Sequence, residues 1–193
     1  MFCGAEDRRG NRVIYAFYKE CIEQRGVHDQ LGPVGQGWGI EQNPHELATF
    51  VIAMQELGVQ SVLEIGTGYK AGLAQFIHYD LGWQVVSVDI RDYGHAFEGI
   101  TFIIGQYEAD RQFDLVFIDG EHTYEAVRHD LADYGAYATR AWAFHDIAGL
   151  RDCGGVAQYW RDIAYTKAGK LRKGFHEVID DSERRAGIGW RAL

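Results

Sequence analysis

The stretch Ser61-Val-Leu-Glu-Ile-Gly-Thr-Gly68 determines the fold of this chain. Its first five residues have the apolar character of a buried strand and run directly into glycines, and residues 70–79 then have helical spacing. Glycines let a backbone approach a ligand closely, and the start of a helix offers unpaired N–H groups. The stretch therefore predicts a strand–turn–helix unit that binds a cofactor, against the alternative of a turn that only reverses the chain.

Short apolar strands and helical segments alternate along most of the chain. Strands are predicted over residues 84–89, 100–104, 113–119 and 141–144, helices over 44–57, 124–134 and 156–165, and a terminal hairpin-like pair over 175–179 and 188–191. This alternation predicts an α/β fold with a doubly wound, mostly parallel sheet covered by helices on both faces. Residues 1–40 are predicted to form a helical extension with a glycine-rich loop, and residues 41–193 the main domain.

Composition limits the classes of partner. The 193 residues suffice for one core, and 28 acidic against 19 basic residues give a net charge of −9. An acidic surface repels phosphate backbones, so no nucleic-acid partner is expected. The sequence has no apolar window long enough for a membrane span or a signal peptide, which predicts a cytoplasmic protein without a membrane partner. Cys3, Cys21 and Cys153 have neither disulfide nor zinc-site spacing, which indicates reduced structural thiols.

Two carboxylates near the glycines indicate which cofactor the unit binds. Asp89 ends the next predicted strand, where a carboxylate can accept hydrogen bonds from both ribose hydroxyls of an adenosine. Glu64 would repel a pyrophosphate but suits the ammonium group of S-adenosylmethionine, which favours that cofactor over a dinucleotide. Lys70, near the helix start, favours a phosphate instead. The cofactor contacts predicted in this region are Glu64, Gly66, Thr67, Gly68 and Asp89.

Four segments resemble class I S-adenosylmethionine-dependent methyltransferases, namely SVLEIGTG (61–68), VVSVDI (85–90), FDLVFIDGEHTYEAVRHDL (113–131) and FHDI (144–147). Within that class the chain is similar to the branch of cephalosporin-hydroxylase-like and macrolide-sugar O-methyltransferases, also at QNPHEL (42–47). The likeness covers about residues 36–191. It implies a Rossmann-like methyltransferase fold with a seven-stranded sheet whose last strand is antiparallel. Relatives usually have glycine or small residues where Lys70 and Ala71 stand.

Acidic and imidazole side chains follow the predicted fourth and fifth strands. Ligands of open α/β sheets bind outside the carboxyl ends of the strands, so Asp119, His145 and Asp146 are expected to converge there. Asp119 and Asp146 offer oxygen ligands for Mg²⁺, which would orient and acidify a substrate hydroxyl. His145 suits Mn²⁺ better than Mg²⁺, or is a second acid–base group. His122, one short turn beyond Asp119, is placed to take the proton.

The resemblance implies similar roles, because related metal-dependent enzymes have an acid after strand four, a ligand pair after strand five and a base where His122 stands. The predicted catalytic residues are His122, Asp119 and His145, and the predicted ligands of a divalent metal, Mg²⁺ or Mn²⁺, are Asp119, His145 and Asp146. Two alternatives stay open at this point: Asp119 caps the helix at Tyr124, and His122 is a packed loop histidine.

Gln106 and Tyr107 are further predicted cofactor contacts, together with Asp119. Gln106 and Tyr107 follow the third strand, where an adenine ring is often contacted, and Asp119 borders the same crevice. Trp38 follows the glycine-rich loop and is either a lid over the site or an aromatic anchor for the extension.

The sequence therefore leaves three functions open. The first is an S-adenosylmethionine-dependent methyltransferase, which O-methylates a small hydroxylated acceptor with assistance from a metal. The others are a catalytically inactive nucleotide-binding relative and an NAD-dependent oxidoreductase, for which no hydride-handling motif was found near the predicted site. The N-terminal extension offers a surface for a homo-oligomer.

Overall fold

A computed structural model describes residues 8–25, 39–108, 110–149, 152–180 and 186–193. The glycine-rich loop and Trp38 lie outside these residues, so the two alternatives for Trp38 stay predictions. The strands are β1 (Ser61–Ile65), β2 (Gln84–Asp89), β3 (Ile100–Ile104), β4 (Phe113–Ile118), β5 (Ala138–His145), β6 (Phe175–Val178) and β7 (Ile188–Ala192). The helices are α1 (Arg8–Arg25), α2 (Pro44–Glu56), α3 (Gly72–Gln75), α4 (Tyr124–Tyr134) and α5 (Gly154–Ala164).

The strands form one seven-stranded sheet in the order β3-β2-β1-β4-β5-β7-β6. Strands β1 to β5 pair in parallel, and β7 runs antiparallel to both of its neighbours, β5 and β6. The predicted doubly wound, mostly parallel sheet with an antiparallel last strand is thereby confirmed. The strand order reverses between β1 and β4, which opens a crevice at the carboxyl ends of these two strands.

The helix after the glycines differs from the prediction. The sequence predicts a helix over residues 70–79, but α3 begins at Gly72, and Phe76–Asp80 continue it as a π-helix. Ala71 has a left-handed backbone conformation with φ 50° and ψ 35°, which cannot belong to a right-handed helix. The first turn of the predicted helix is therefore part of the glycine-rich connection.

Strand β5 is longer than predicted. It begins at Ala138, whereas the sequence predicts a start at residue 141. The prediction starts too late because it rests on an apolar run that the exposed Thr139 and Arg140 interrupt. Arg140 is held at this end of the sheet by a bond of 3.0 Å from its Nε to Asp114 Oδ1. Polar residues at the end of a strand are common where the sheet meets solvent, so apolar pattern alone underestimates the length of β5.

The core lies on both faces of the sheet. One apolar cluster joins α1 and α2 to the sheet through residues such as Ile22 and Phe50, and the other joins α4 and α5 through Val127 and Trp160. Tyr15 of α1 is also hydrogen-bonded to His45 of α2 at 2.6 Å. The boundary predicted at residue 40 stays a prediction. Among the described ranges, no helix has both the length and the apolar character needed to cross a membrane.

The start of α2 anchors a distant connection. Asn43 caps the helix as predicted, accepting the N–H groups of His45 and Glu46. Glu46 is fully buried, and its carboxylate accepts the backbone N–H groups of Asp180, at 2.8 Å, and Gly187, also at 2.8 Å. A buried carboxylate without partners is costly, so these bonds are strongly favoured. They attach both ends of the connection between β6 and β7 to α2.

Candidate functional site

The glycine turn, residues 66–71, connects β1 to α3 beside the crevice. Gly66 has φ 97°, and a Cβ there would lie 2.0 Å from the carbonyl oxygen of Asp119. Glycine is required at this position because the turn packs directly on the backbone that follows β4. Gly68 also has a positive φ, 69°, but a Cβ there would meet no heavy atom within 4 Å. The space beside the Gly68 Cα is therefore open to a ligand, while its N–H is bonded to Asp89 and its carbonyl oxygen to His95.

Glu64 lies beneath the glycine turn. The residue is 1% exposed, and its carboxylate accepts a hydrogen bond from the hydroxyl of Ser87, which lies 2.6 Å from the hydroxyl of Thr67. Burial raises the pKa of Glu64 to about 8, and the charges of Asp119 and Asp89 act in the same direction. The sequence predicts an ammonium partner for Glu64, and the structure provides a buried carboxyl group whose ionised form would be stabilised by such a cation.

Asp89 stands at the end of β2, next to the glycine turn. Its two carboxylate oxygens accept the backbone N–H groups of Gly68, at 3.0 Å, and Arg91, at 2.9 Å. Two exposed apolar side chains flank it: Ile90 is 81% exposed, and Ile104, its neighbour across the sheet, is 57% exposed. The sequence analysis missed this apolar edge, although an isoleucine directly after a strand-end carboxylate was a signal for it.

Gln106 and Tyr107 lie at the same edge of the sheet. The N–H of the preceding Gly105 donates to the carbonyl oxygen of Asp89 at 2.8 Å, which holds this segment beside β2. Gln106 is exposed, whereas Tyr107 is half-buried and packs against the core on the α4 side. Gln106 is therefore available to a ligand at the apolar edge, and Tyr107 presents only part of its side chain.

Four side chains meet where β4 and β5 end, and we call them the acid–base ring: Asp119, His122, His145 and Asp146. Imidazole and carboxylate groups alternate around it. His122 Nε2 lies 3.1 Å from Asp146 Oδ2, and His145 Nδ1 lies 3.3 Å from the same oxygen. Asp119 Oδ1 closes the ring, at 3.2 Å from His145 Nδ1 and 4.0 Å from His122 Nε2. The structure thus brings together all four residues that the sequence predicts to converge.

Opposite charges within the ring shift the pKa of each member. Burial alone would raise the pKa of Asp119, but the neighbouring His145 and His122 lower it to about 2. Hydrogen bonds to Asp119 and Asp146 raise the pKa of His122 to about 10. Burial would lower the pKa of His145, but the same two carboxylates raise it, and both imidazoles in turn lower the pKa of Asp146. Within the ring each carboxylate favours the charged form of the imidazoles, and each imidazolium favours the charged form of the carboxylates.

His122 is the member of the ring that a substrate can reach. Its side chain is 39% exposed, whereas the side chains of Asp119 and Asp146 are 15% and 14% exposed. The alternative that Asp119 caps α4 is wrong, because Thr123 is the cap and its hydroxyl accepts the N–H of Ala126. The ring accordingly has one accessible imidazole above two enclosed carboxylates.

Gln42 is a residue of the site that the sequence analysis did not identify. Its Nε2 donates to Asp119 Oδ2 at 2.8 Å, and the residue is 8% exposed. Its Oε1 is buried and has no hydrogen-bond partner among the described residues, and the same is true of His145 Nε2. The resemblance at QNPHEL (42–47) indicated that this segment matters. It did not reveal the contact, because Gln42 and Asp119 are 77 positions apart in the sequence.

Cys153 is the second residue that the sequence analysis missed. It is the residue before α5, is 7% exposed, and its sulfur lies within 4.8 Å of ligand atoms of His122 and Asp146. Burial raises the pKa of its thiol to about 12, and the nearby Asp146 and Asp119 carboxylates contribute. The sequence indicated a structural thiol here, because cysteine spacing alone does not reveal a contact made across two loops.

The donor atoms of the ring fit a divalent cation. One ligand atom each from Asp119, His145 and Asp146 lies within 4.8 Å of the other two, and all three side chains are enclosed. Two carboxylates and one imidazole suit Mn²⁺ or Fe²⁺ better than Mg²⁺, which prefers oxygen ligands alone. Asp146 has a left-handed backbone with φ 61°, a conformation that aspartate adopts more readily than most residues other than glycine.

The stem of Lys70 packs on the chain before α2. The aliphatic part of its side chain packs on Gly39, where a Cβ would lie 2.1 Å from Lys70 Cδ. From the sequence, Lys70 could face a phosphate. It also stands where related methyltransferases usually have glycine or a small residue. In the structure its stem serves as packing between the turn and the chain before α2.

A sheet in the order 3-2-1-4-5-7-6 with one antiparallel strand, and a glycine turn after β1 beside a carboxylate after β2, defines a class I S-adenosylmethionine-dependent methyltransferase. A sequence model of the methyltransferase-domain family matches residues 40–147. The chain belongs to this family and is a methyltransferase. No curated protein sequence matches it significantly.

Solved structures share the fold at low sequence identity. A Pyrococcus horikoshii protein provisionally described as an RNA methyltransferase has a TM-score of 0.59 and 12% identity, over 92% of this chain and 94% of its own. A Staphylococcus aureus protein provisionally described as a caffeoyl-CoA O-methyltransferase has a TM-score of 0.57 and 12% identity, over 95% and 98%. The methyltransferase MycE of the mycinamycin biosynthetic pathway, in complex with Mg, SAH and mycinamycin VI, has a TM-score of 0.52 and 16% identity, over 75% and 48%.

Proposed function

We propose that this methyltransferase transfers the methyl group of S-adenosylmethionine to a hydroxyl oxygen of a small acceptor. One observation carries the proposal: the glycine turn packs on the backbone of Asp119, with only 2.0 Å between that carbonyl oxygen and a Cβ built at Gly66. A methyl donor bound in the turn would therefore lie directly beside the acid–base ring. Proximity of this kind is a large source of rate acceleration.

The residues around the turn suit the parts of S-adenosylmethionine. Asp89 is placed to accept the ribose hydroxyls, since each of its oxygens retains a second lone pair beside the backbone bonds described above. The ammonium group would supply the positive charge that the buried Glu64 carboxyl needs in order to ionise. Ile90 and Gln106 offer an apolar surface and an amide to the adenine ring.

His122 is the group that we assign to the acceptor hydroxyl. The hydroxyl proton passes to the His122 ring nitrogen that does not face Asp146, because Nε2 donates to that carboxylate. The oxygen bonds to the methyl carbon, and the bond from that carbon to sulfur breaks, which leaves the neutral thioether. Asp119 and Asp146 stabilise the imidazolium that forms. To accept a proton, His122 must first be neutral, although its carboxylate partners raise its pKa to about 10.

A divalent cation fits the enclosed face of the same ring. Asp119, His145 and Asp146 would hold it. The chemistry that such an ion supplies when bound is neutralisation of the two carboxylates and acidification of a coordinated hydroxyl. The MycE structure, a complex with Mg, SAH and mycinamycin VI, supports a metal and a small-molecule acceptor for a related fold.

Calorimetric titration with S-adenosylmethionine and with NAD⁺ tests the cofactor, followed by release of labelled methyl groups over a panel of sugars, phenols and other hydroxylated compounds. The proposal expects saturable binding of S-adenosylmethionine, weaker binding of NAD⁺, and methyl transfer to at least one hydroxyl. Preferential binding of NAD⁺ would overturn it. Tight cofactor binding without methyl transfer to any acceptor class would instead favour the catalytically inactive relative.

A further inference from the structure

Cys153 is close to the acid–base ring, yet the methyl-transfer mechanism does not use it. The residue lies directly before α5, seven positions beyond Asp146, and is buried with 7% exposure. Its sulfur, one carboxylate oxygen of Asp146 and one ring nitrogen of His122 all lie within 4.8 Å of one another. This buried thiol adds a soft potential ligand beside an acid and an imidazole.

We propose that His122, Asp146 and Cys153 form a binding site for Zn²⁺. The three side chains offer nitrogen, oxygen and sulfur, which is the donor mixture that Zn²⁺ binds in tetrahedral sites, and a fourth position is left for water or another ligand. Thiolate ligands select Zn²⁺ and related ions, whereas Mg²⁺ requires nearly all of its ligands to be oxygen. The inference concerns ion binding alone and does not depend on the proposed methyl acceptor.

Charge balance favours a divalent ion at this place. With His122 neutral, the Asp146 carboxylate and the Cys153 thiolate carry two negative charges that a Zn²⁺ ion neutralises within an enclosed volume. The thiol proton leaves to solvent when the ion binds. Without an ion, the Asp146 and Asp119 carboxylates disfavour the Cys153 thiolate. A bound Zn²⁺ would offset this repulsion with its positive charge.

Two buried polar atoms belong to residues that adjoin the site. Gln42 Oε1 and His145 Nε2 are buried, and neither has a hydrogen-bond partner in the part of the chain that the structure describes. Buried polar atoms normally have partners, so a ligand or ordered water on the Asp119 and His145 side of the ring would satisfy them. They belong to residues that contact Asp119 and Asp146, next to the three proposed ligands.

Asp146 belongs both to this site and to the candidate set formed with Asp119 and His145. A zinc ion at the proposed site would also occupy His122, the only ring member with substantial exposure. If the proposed function holds, Zn²⁺ would therefore inhibit methyl transfer by removing the base, and would compete with a metal held by the two carboxylates.

Cobalt is the probe for the test, because Co²⁺ replaces Zn²⁺ and gives a thiolate-to-metal absorption band. We would titrate the reduced protein with Co²⁺, without cofactor or acceptor, and then displace Co²⁺ with Zn²⁺. The proposal expects one equivalent of a thiolate–cobalt band, its loss in Cys153→Ser, and at least roughly a tenfold weaker Zn²⁺ affinity in that variant. The matched control Cys21→Ser, a cysteine in α1, should keep both the band and the affinity.

A second measurement needs no variant. X-ray absorption at the zinc edge of the wild-type protein should show one sulfur ligand at about 2.3 Å together with nitrogen and oxygen ligands. A zinc shell of oxygen and nitrogen alone, or a cobalt band that persists in Cys153→Ser, would overturn the proposal. Because neither measurement involves methyl transfer, their failure would leave the proposed function untouched.

Discussion

The glycine turn and the acid–base ring lie against each other, but the chain builds them differently. The turn is a continuous segment of six residues whose backbone makes the site, and Gly66 and Gly68 fix its shape. The ring is made of side chains from the end of β5 and from the loops after β4 and β5, supported by Gln42 from a further segment. The comparison indicates that the turn depends on backbone conformation beside the Asp89 and Glu64 carboxylates, whereas the ring depends on charges that only the completed fold brings together.

The largest effect is expected from removal of the exposed imidazole in the ring. His122→Ala should lower turnover by about 10²–10⁴-fold, because general-base catalysis contributes on this order, while S-adenosylmethionine affinity stays nearly unchanged. His129→Ala, an exposed histidine on α4, is the matched control and should retain full turnover. Turnover and calorimetric affinity together check this prediction, and near-normal turnover in His122→Ala would exclude it as the base.

Two glycines of the turn should differ strongly in what they tolerate. Gly66→Ala should reduce the free energy of unfolding by about 3 kcal/mol or more, because the new methyl group meets the Asp119 backbone at 2.0 Å. Gly68→Ala should cost only about 1 kcal/mol, since it strains φ but meets no atom within 4 Å. Denaturant unfolding measures both, and equal losses would contradict the packing described for Gly66.

A substitution at the end of β2 should affect binding rather than chemistry. Asp89→Asn should weaken S-adenosylmethionine binding by roughly tenfold or more, because hydrogen bonds to a charged group are among the stronger ones. Turnover at saturating cofactor should change little. Asp92→Asn, in the adjoining exposed segment, is the control and should bind normally. Equal affinities in the two variants would remove Asp89 from the cofactor site.

A further effect is expected in how stability depends on pH. Burial raises the pKa of Glu64 from 4.5 to about 8, so between these values the folded chain holds a proton that the unfolded chain has released. This group therefore stabilises the fold most at low pH, and its contribution is lost as pH rises toward 8. Glu64→Gln should lack this contribution, and the difference in unfolding free energy between the two proteins should vary with pH. A constant difference from pH 5 to pH 8 would contradict the buried titration.

The sequence was sufficient for the sheet and for the glycine turn, because both are local. Apolar runs of five or six residues give β1, β2 and β3 with the observed ends, and Asn43 followed by Pro44 gives the start of α2. The helix start failed at Ala71, since a left-handed alanine has no signature in the residue pattern. Topology then accounts for the convergence of Asp119 and His145, because parallel strands end at the same edge.

The sequence was not sufficient for the groups that surround the ring. Gln42 reaches Asp119 across 77 positions, and Cys153 contacts the ring from the residue before α5, so neither contact follows from spacing. The burial of Glu64 was missed for a related reason. Alternation along β1 gives the face on which Glu64 lies, but it does not reveal that the glycine turn covers this side chain and excludes solvent.

Glu46 has a consequence for the smallest stable version of this enzyme. Its carboxylate holds Asp180 and Gly187, and the carbonyl oxygen of Gly187 in turn accepts the N–H of Ile147, the residue after Asp146. A shortened chain that began at β1 would contain all seven strands but would leave these amides without their acceptor. The rim of the crevice would then lose its support, and one apolar face of the sheet would lose the helices that cover it, so the minimal autonomous unit must extend upstream to include α2.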